Sequence, residues 1–434
     1  MVGGVKSQGR RPRHGILPDL RSSAGGIYQY SLTMLRALQD WAADGCTDEF
    51  VILTNNERHE ALRGFKEPVW HTKPVQAPSA KGMARELLNR FDLDNFLRRA
   101  VEKFSVKPHK INIDAVQSRP QHKHWFRRLG IELMIYPTPH TFSFEVELPY
   151  IMAIHDLQHR LQPEFPEVSA DGEWERREYV FRNGSRHATL LLADSEVGKE
   201  DILNFYGEYG VRPEKVKVLP FLPAAYLPSE VSEPERQRVR KKYALPARYL
   251  FYPAQFWPHK NHVRIVRALV ILRDGQKITP TIVFCGSTQG KIRRETFTEI
   301  MSLARQAGIA NQVINLGYVS DADMGPLYSQ AACLVMPTFF GPTNIPILEA
   351  WAFGCPVITS DIRGVREQAG DAALLADPRS PEMIAEAIRE IWTDPGLCEA
   401  LAQRGRVRLS GYTPAEFRRR LVEIVEEAKA YGTC

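Results

Sequence analysis

The sequence has no uninterrupted apolar run of the ~18–20 residues that a membrane-spanning helix needs. Its opening MVGGVKSQGRRPRHG is basic but has no apolar segment behind it, so a secretory leader is not expected. Cysteine is scarce and scattered. Cys46, Cys285, Cys333, Cys355, Cys398 and Cys434 form no C-x-x-C pair and no metal-ligand spacing. That excludes a disulfide framework or a zinc ribbon and points to a reducing, cytoplasmic setting. Internal repeats and low-complexity tracts are absent. No G-x-G-x-x-G follows a strand with an acidic residue about 20 positions on, which argues against a dinucleotide-dependent dehydrogenase. Nor does charge of one sign dominate: 57 Lys+Arg stand against 51 Asp+Glu, a net +6 over 434 residues. The basic residues are not interleaved with aromatics in the manner of a nucleic-acid module, so no nucleic-acid partner is expected.

What is present reads as a globular α/β protein. Apolar residues make up 44% and charged residues 25%, and the length exceeds what one core fills, so two domains are expected. FVILTN (Phe50–Asn55), LMIYP (Leu133–Pro137), YIMAIHD (Tyr150–Asp156) and TLLLADS (Thr189–Ser195) are short continuous apolar runs. Such runs suit parallel strands covered on both faces. YLFYPAQ, TIVFCGS, VINLGYV, CLVMPT and PVITSD repeat the pattern in the second half, spaced by helical segments. Between the halves lies the Pro- and charge-rich PFLPAAYLPSEVSEPERQRVRKKYALPARY. The division is therefore 1–223 for the first domain, 224–412 for the second, and 413–434 for a terminal helix. That helix has Thr413 as N-cap, Pro414 at its first position, and Phe417, Leu421, Ile424 and Val425 at helical spacing.

Charge is concentrated in one place. Lys81–Arg128 holds 12 Lys/Arg and 5 Asp/Glu, a net of +7. It reads either as a solvated helix face or as a surface for an anionic membrane or acceptor.

Several motifs carry chemistry. Gly25-Gly26 precedes a helix with apolar residues at Ile27, Tyr30, Leu32, Leu35 and Leu38. Paired glycines before a helix N-terminus suit a phosphate, or an ordinary strand-to-helix turn. Lys260 stands in a strand-to-helix loop between His259 and His262, with Asn261 as a helix cap. It is placed to meet a diphosphate, or simply solvated. The two histidines lack a third ligand, so no metal is expected. In MPTFFGPTNIPILEAWAFGCPVITSDIRG a helix starts near Ile345, and the N–H groups of Thr343–Ile345 would crown it as an anion site. Glu349, one turn inside, can accept from a pair of ribose hydroxyls or complement the helix dipole. His155-Asp156 follows a buried strand, where ligands bind in open α/β sheets, though a structural His fits as well.

Taken in order, the GG turn, HDL, PAQFWPHKN, LGYVSDADMGPLYSQAACLVMPT and PTNIPILEAWAFGCPVI resemble the retaining glycosyltransferases of family 4 over about Ala24–Pro378. The resemblance implies a GT-B fold, two Rossmann-like domains with parallel sheets facing a central cleft, and a terminal helix crossing back to the first domain. It implies a hexosyltransferase, with the nucleoside diphosphate sugar bound mainly by the second domain and a saccharide or lipid-linked acceptor by the first. Lys260 would hold the diphosphate with Gln255, Asn261, Gly25 and Gly26. Glu349 would hold the ribose, and Gly317, Tyr318 and Val319 would line the base pocket. Thr343, Asn344, Ile345 and Pro346 would meet the phosphates and sugar. His155 would sit beside the reaction centre. No cofactor and no metal are implied. HDLQHRLQPEF with PAQFWPHKNH points to GDP-mannose, with UDP-sugars open. Polysaccharide or glycolipid assembly follows, with peripheral attachment at the inner face of a membrane. A hydrolase or epimerase on the same fold, and a basic binding protein without catalysis, are the rivals.

Three positions depart from the family pattern. Gly341 replaces the first of two glutamates eight residues apart. Gln255 replaces a phosphate-binding arginine. HGILPDL carries a proline, which predicts an edge or non-strand position for the first strand.

Overall fold

The computed structural model describes residues 11–21, 24–75, 112–116 and 119–431. Most of Lys81–Arg128, including ARELLNRFDLDNFLRRAVEKF, lies outside the described residues. The described end of that stretch forms the helix Pro120–Leu129.

Among the described residues thirteen strands make two sheets. The first holds β1 (Arg13–Ile16), β2 (Glu49–Leu53), β3 (Trp70–Lys73), β4 (Leu133–Tyr136), β5 (Tyr150–Ala153), β6 (Leu190–Ala193) and β7 (Val216–Val218), ordered β3-β2-β1-β4-β5-β6-β7. The second holds β8 (Leu250–Pro253), β9 (Ile282–Cys285), β10 (Val313–Asn315), β11 (Cys333–Met336), β12 (Val357–Ser360) and β13 (Leu374–Ala376), ordered β10-β9-β8-β11-β12-β13. Every pairing is parallel. The central runs β4, β5, β6, β9, β11 and β12 are buried at every residue. That burial is why they read as unbroken apolar stretches.

The first strand corrects the sequence reading. β1 is central, paired with β2 on one side and β4 on the other. Pro18 lies past its end, and the last bond to the neighbouring strand is donated by the Leu17 N–H to Ile135 C=O at 3.1 Å. The proline therefore removes no ladder donor. β3, β7 and β13, which no apolar run announced, are the opposite case. All three are edge strands with partly exposed residues, so nothing demands continuous hydrophobicity there.

In each sheet the strand order reverses direction at one point, between β1 and β4 and between β8 and β11. Such switch points open crevices beyond the carboxyl ends of the strands. The two crevices face each other. A Cβ built on Gly25 would lie 3.9 Å from Gln255 Nε2, and one on Gly26 3.5 Å from Ile345 Cδ1. The helix Pro414–Tyr431 returns to the first domain and packs along the helix Gly26–Ala43. Arg418 bonds Asp44 at 2.6 Å, Lys429 bonds Asp48 at 2.7 Å, and Lys217 pairs with Glu427 at 2.7 Å.

Side-chain clasps also join the domains. The N–H groups of Glu196 and Val197, at the start of the helix Glu196–Tyr206, both donate to the Glu367 carboxylate at 2.9 Å, beside Arg363 bonded to Asp201 and Glu200. Elsewhere, Phe165 packs on Phe339 and Phe340 at 5.2 and 5.1 Å between ring centres.

Candidate active site

The loop after β1 delivers Gly25-Gly26. Gly25 has φ 60°, ψ −119°, a conformation that penalises any side chain, and it precedes the first turn of the helix Gly26–Ala43. Opposite it, the loop after β8 delivers Gln255, Trp257 and Lys260. Gln255 Oε1 accepts from Trp257 Nε1 at 3.0 Å and from Arg293 Nη1 at 2.5 Å. Lys260 closes the single turn Pro258–Lys260, and its carbonyl accepts from the Tyr252 hydroxyl at 2.9 Å. Desolvation of its amine lowers the pKa to about 8, against the opposing pull of the Asp156 and Glu167 carboxylates. Those carboxylates belong to the first domain, so Lys260 sits where the two domains meet.

Asn261 starts the next helix at φ 63°, but its side chain does not cap it. Nδ2 instead donates to Pro337 O at 2.8 Å and Pro378 O at 2.7 Å, and Oδ1 accepts from Arg264. The capping expectation is corrected: Asn261 ties the loops after β11 and β13 to the Lys260 turn. His259 and His262 also have structural surroundings. His259 stacks on Phe340 at 4.0 Å and bonds Glu167, while His262 lies buried among Tyr252, Phe256 and Phe284. Among the described residues no cluster of three His, Cys, Asp or Glu is placed to hold a metal ion.

The loop after β11 explains the missing glutamate. Gly341 has φ 111°, and a Cβ there would lie 2.8 Å from the Asn344 side chain. Any larger residue would be strained and would displace Asn344. The expected row of helix-crowning amides is shorter than the sequence suggested. The Asn344 N–H already donates to Gln368 Oε1 at 2.8 Å, and Gln368 Nε2 returns a bond to Asn344 O at 3.0 Å. Pro346 has no N–H. Thr343 and Ile345 are the remaining amides, and Thr343 Oγ1 is buried without a partner.

Glu349 is 4% exposed. Its carboxylate accepts from the Tyr328 hydroxyl at 2.7 Å and the Tyr226 hydroxyl at 3.3 Å. Desolvation outweighs both bonds and raises its pKa to about 7. Gly317, at φ 67°, has open space where a Cβ would be, Tyr318 is 76% exposed, and Val319 is buried in the core.

On the first-domain side, both ring nitrogens of His155 face acceptors. Nδ1 lies 3.1 Å from Asp194 Oδ1, and Nε2 lies 2.8 Å from Pro137 O. A carbonyl cannot donate, so Nε2 carries a proton, and Nδ1 serves a buried carboxylate. Burial alone would lower the His155 pKa. The Asp194 charge and hydrogen bond, the Pro137 carbonyl and Asp156 outweigh it and raise the pKa. Desolvation raises the Asp194 pKa as well, and both ring nitrogens are engaged within the first domain. Asp156 pairs with Arg177. A small cavity lined by His155, Asp156, Gly198, Asp201 and Pro342 lies at this junction.

The structure therefore gathers Gly25, Gly26, Gln255, Lys260, Ile345 and His155 around one cleft, and places Glu349 behind it. Asp194, Glu167, Tyr226, Tyr328 and Arg293 were not read from the sequence. Asp194 follows β6 as His155 follows β5, so the strand-end argument could have found it. Tyr226 and Arg293 carried no sequence signal. One lies in the linker and the other in the first turn of an ordinary helix.

Residues 235–408 match the family model for glycosyl transferases group 1. The chain is 27% identical over 225 residues to O-antigen chain mannosyltransferase B of Escherichia coli, covering 50% of this chain and 55% of that one. It is 25% identical over 236 residues to the lipopolysaccharide glucosyltransferase WaaG of Escherichia coli strain K12, covering 52% and 59%. The chain thus spans about half the length of the curated relatives it matches. HepE of Anabaena, solved in complex with UDP and glucose, superposes with a TM-score of 0.66 at 16% identity over 96% of this chain and 100% of that chain. The protein has the GT-B fold, and residues 235–408 of its second domain match the model of the group 1 glycosyl transferases.

Proposed function

We propose that the protein is a retaining hexosyltransferase that moves a hexose from a nucleoside diphosphate sugar to a hydroxyl of a saccharide or lipid-linked acceptor, in polysaccharide or glycolipid assembly. The observation that carries this reading is the approach of Gly25 to Gln255, on the loop that carries Lys260, and of Gly26 to Ile345 across the cleft between two switch points. Breaking the anomeric C–O bond leaves charge on the diphosphate. Lys260, the Gly25-Gly26 turn and the amides of Thr343 and Ile345 stabilise that charge as it develops, with no metal and no cofactor. Same-face attack passes the acceptor proton to the leaving phosphate oxygen. His155, with Nε2 bonded to the Pro137 carbonyl and Nδ1 facing Asp194, contributes position instead of accepting that proton. Glu349 takes the ribose hydroxyls, Gly317, Tyr318 and Val319 take the base, and Asn261, Asn344 and Pro346 shape the loops around the donor. Domain contact excludes water that would hydrolyse the donor.

The names of the relatives support mannose or glucose as the hexose. The HepE complex supports a uridine nucleotide beside the guanosine one. Among the described residues no helix is long and apolar enough to cross a membrane. The basic Lys81–Arg128 supports peripheral attachment to an anionic surface at the cytoplasmic face.

The test is nucleoside diphosphate release from GDP-mannose, UDP-glucose and related donors, with acceptor and with EDTA. Lys260→Ala is expected to lower turnover by about 10²–10³-fold, as for removal of one preorganised stabilising group. Full activity in that variant overturns the assignment, and release that ignores acceptor favours hydrolysis.

A further inference from the structure

Arg293 lies at the third residue of the helix Lys291–Gln306, outside every motif used above. Its guanidinium is half-buried yet pairs with no carboxylate among the described residues. Two contacts fix it. Nη1 donates to Gln255 Oε1 at 2.5 Å, and the group lies 4.6 Å from the centre of the Trp257 ring. Nε is buried with no hydrogen-bond partner. A cation in this state is costly: burial lowers its pKa and nothing anionic compensates.

Its position gives that cost a use. Gln255, which holds it, faces Gly25 of the other domain, on the same loop that carries Lys260. A sugar diphosphate brings two negative charges into the cleft, and Lys260 answers only one. From these observations we infer that Arg293 is a second phosphate ligand for the donor, positioned by Gln255 and Trp257; this rests on the function proposed above. The Gln255 amide supplies no charge, but its oxygen aims the guanidinium, and the indole face supports it. The planar fork can engage two oxygens of a phosphate at once, which a lysine cannot.

The experiment is calorimetric titration with UDP and GDP, and with uridine and guanosine, on the wild-type protein, Arg293→Gln and Arg293→Lys. Arg293→Gln is expected to weaken the bound nucleoside diphosphate about 10–100-fold, the range for a lost charge-assisted hydrogen bond, while nucleoside affinity stays unchanged. Arg293→Lys is expected to fall between, keeping charge without the fork. Unliganded melting of Arg293→Gln within a degree or two of wild type shows that the fold persists. Equal diphosphate affinity in Arg293→Gln overturns the inference and leaves the proposed function standing, provided Lys260→Ala binds weakly in the same titration. A parallel loss of nucleoside affinity also overturns it, since a phosphate ligand would spare the nucleoside. A wild-type protein that binds neither diphosphate overturns both.

Discussion

Replacing Glu349 by Gln separates the cost of a buried charge from its use. Glu349 is 4% exposed and, among the described residues, receives two tyrosine hydroxyls, at 2.7 and 3.3 Å. Its pKa rises from 4.5 to about 7 on folding. An acid that is weaker in the folded state takes up a proton on folding. Stability therefore falls as pH rises from the unfolded value through the folded one. At 1.36 kcal/mol per unit, this shift is worth about 3 kcal/mol between the fully protonated and fully ionised limits, with no discount for solvent because the group is buried. Gln fills the same volume and can accept from one tyrosine and donate to the other, so the pH-dependent cost disappears. Thermal melting of both proteins between about pH 5 and about pH 8.5 should show Glu349→Gln gaining on wild type by roughly 5–10 °C across the range, at 2–4 °C per kcal/mol for a domain of this size. The same variant should bind donor more weakly, since a neutral amide accepts less strongly than a carboxylate from two ribose hydroxyls. A constant gap between the two proteins across the pH range would refute the reasoning, because it would mean that Glu349 is as ionised in the folded chain as in the unfolded one.

Lys260 gives a pH signature in binding. Desolvation holds its amine near pKa 8 in the unliganded cleft, so nucleoside diphosphate affinity should fall as pH rises above about 8, at most tenfold per unit. Affinity that stays flat to about pH 10 would show that the amine remains charged. Gly341→Glu, which restores the family's acidic residue, should destabilise the protein by about 1–3 kcal/mol, through the positive φ and the contact with Asn344. An unchanged melting temperature would show that this loop re-forms freely.

Much of the fold could be read from residues alone where burial was complete. Tyr150–Ala153, Leu190–Ala193 and Cys333–Met336 are hydrophobic at every position because a sheet covered on both faces leaves no polar side. Trp70–Lys73 and Val216–Val218 were missed because an edge strand relaxes that demand. The proline in HGILPDL misled for a related reason: one-dimensional pattern counts a residue as inside a run that the chain has already left.

By itself the sequence determined the α/β class, two domains, the order of the motifs, and the loop or helix in which Gly25-Gly26, His155, Lys260 and Glu349 stand. Each follows from local rules of periodicity, capping and turn chemistry, which act within a few residues. Only the tertiary structure decided what those residues face. It set His155 between Asp194 and Pro137, closed Glu349 behind Tyr226 and Tyr328, spent the Asn344 amide on Gln368, and brought Arg293 to Gln255. Those partners lie tens of residues away or more, and no local pattern encodes them. They meet because each sheet lays strands distant in sequence side by side, and the charge state of each group depends on the desolvation and the neighbours found there.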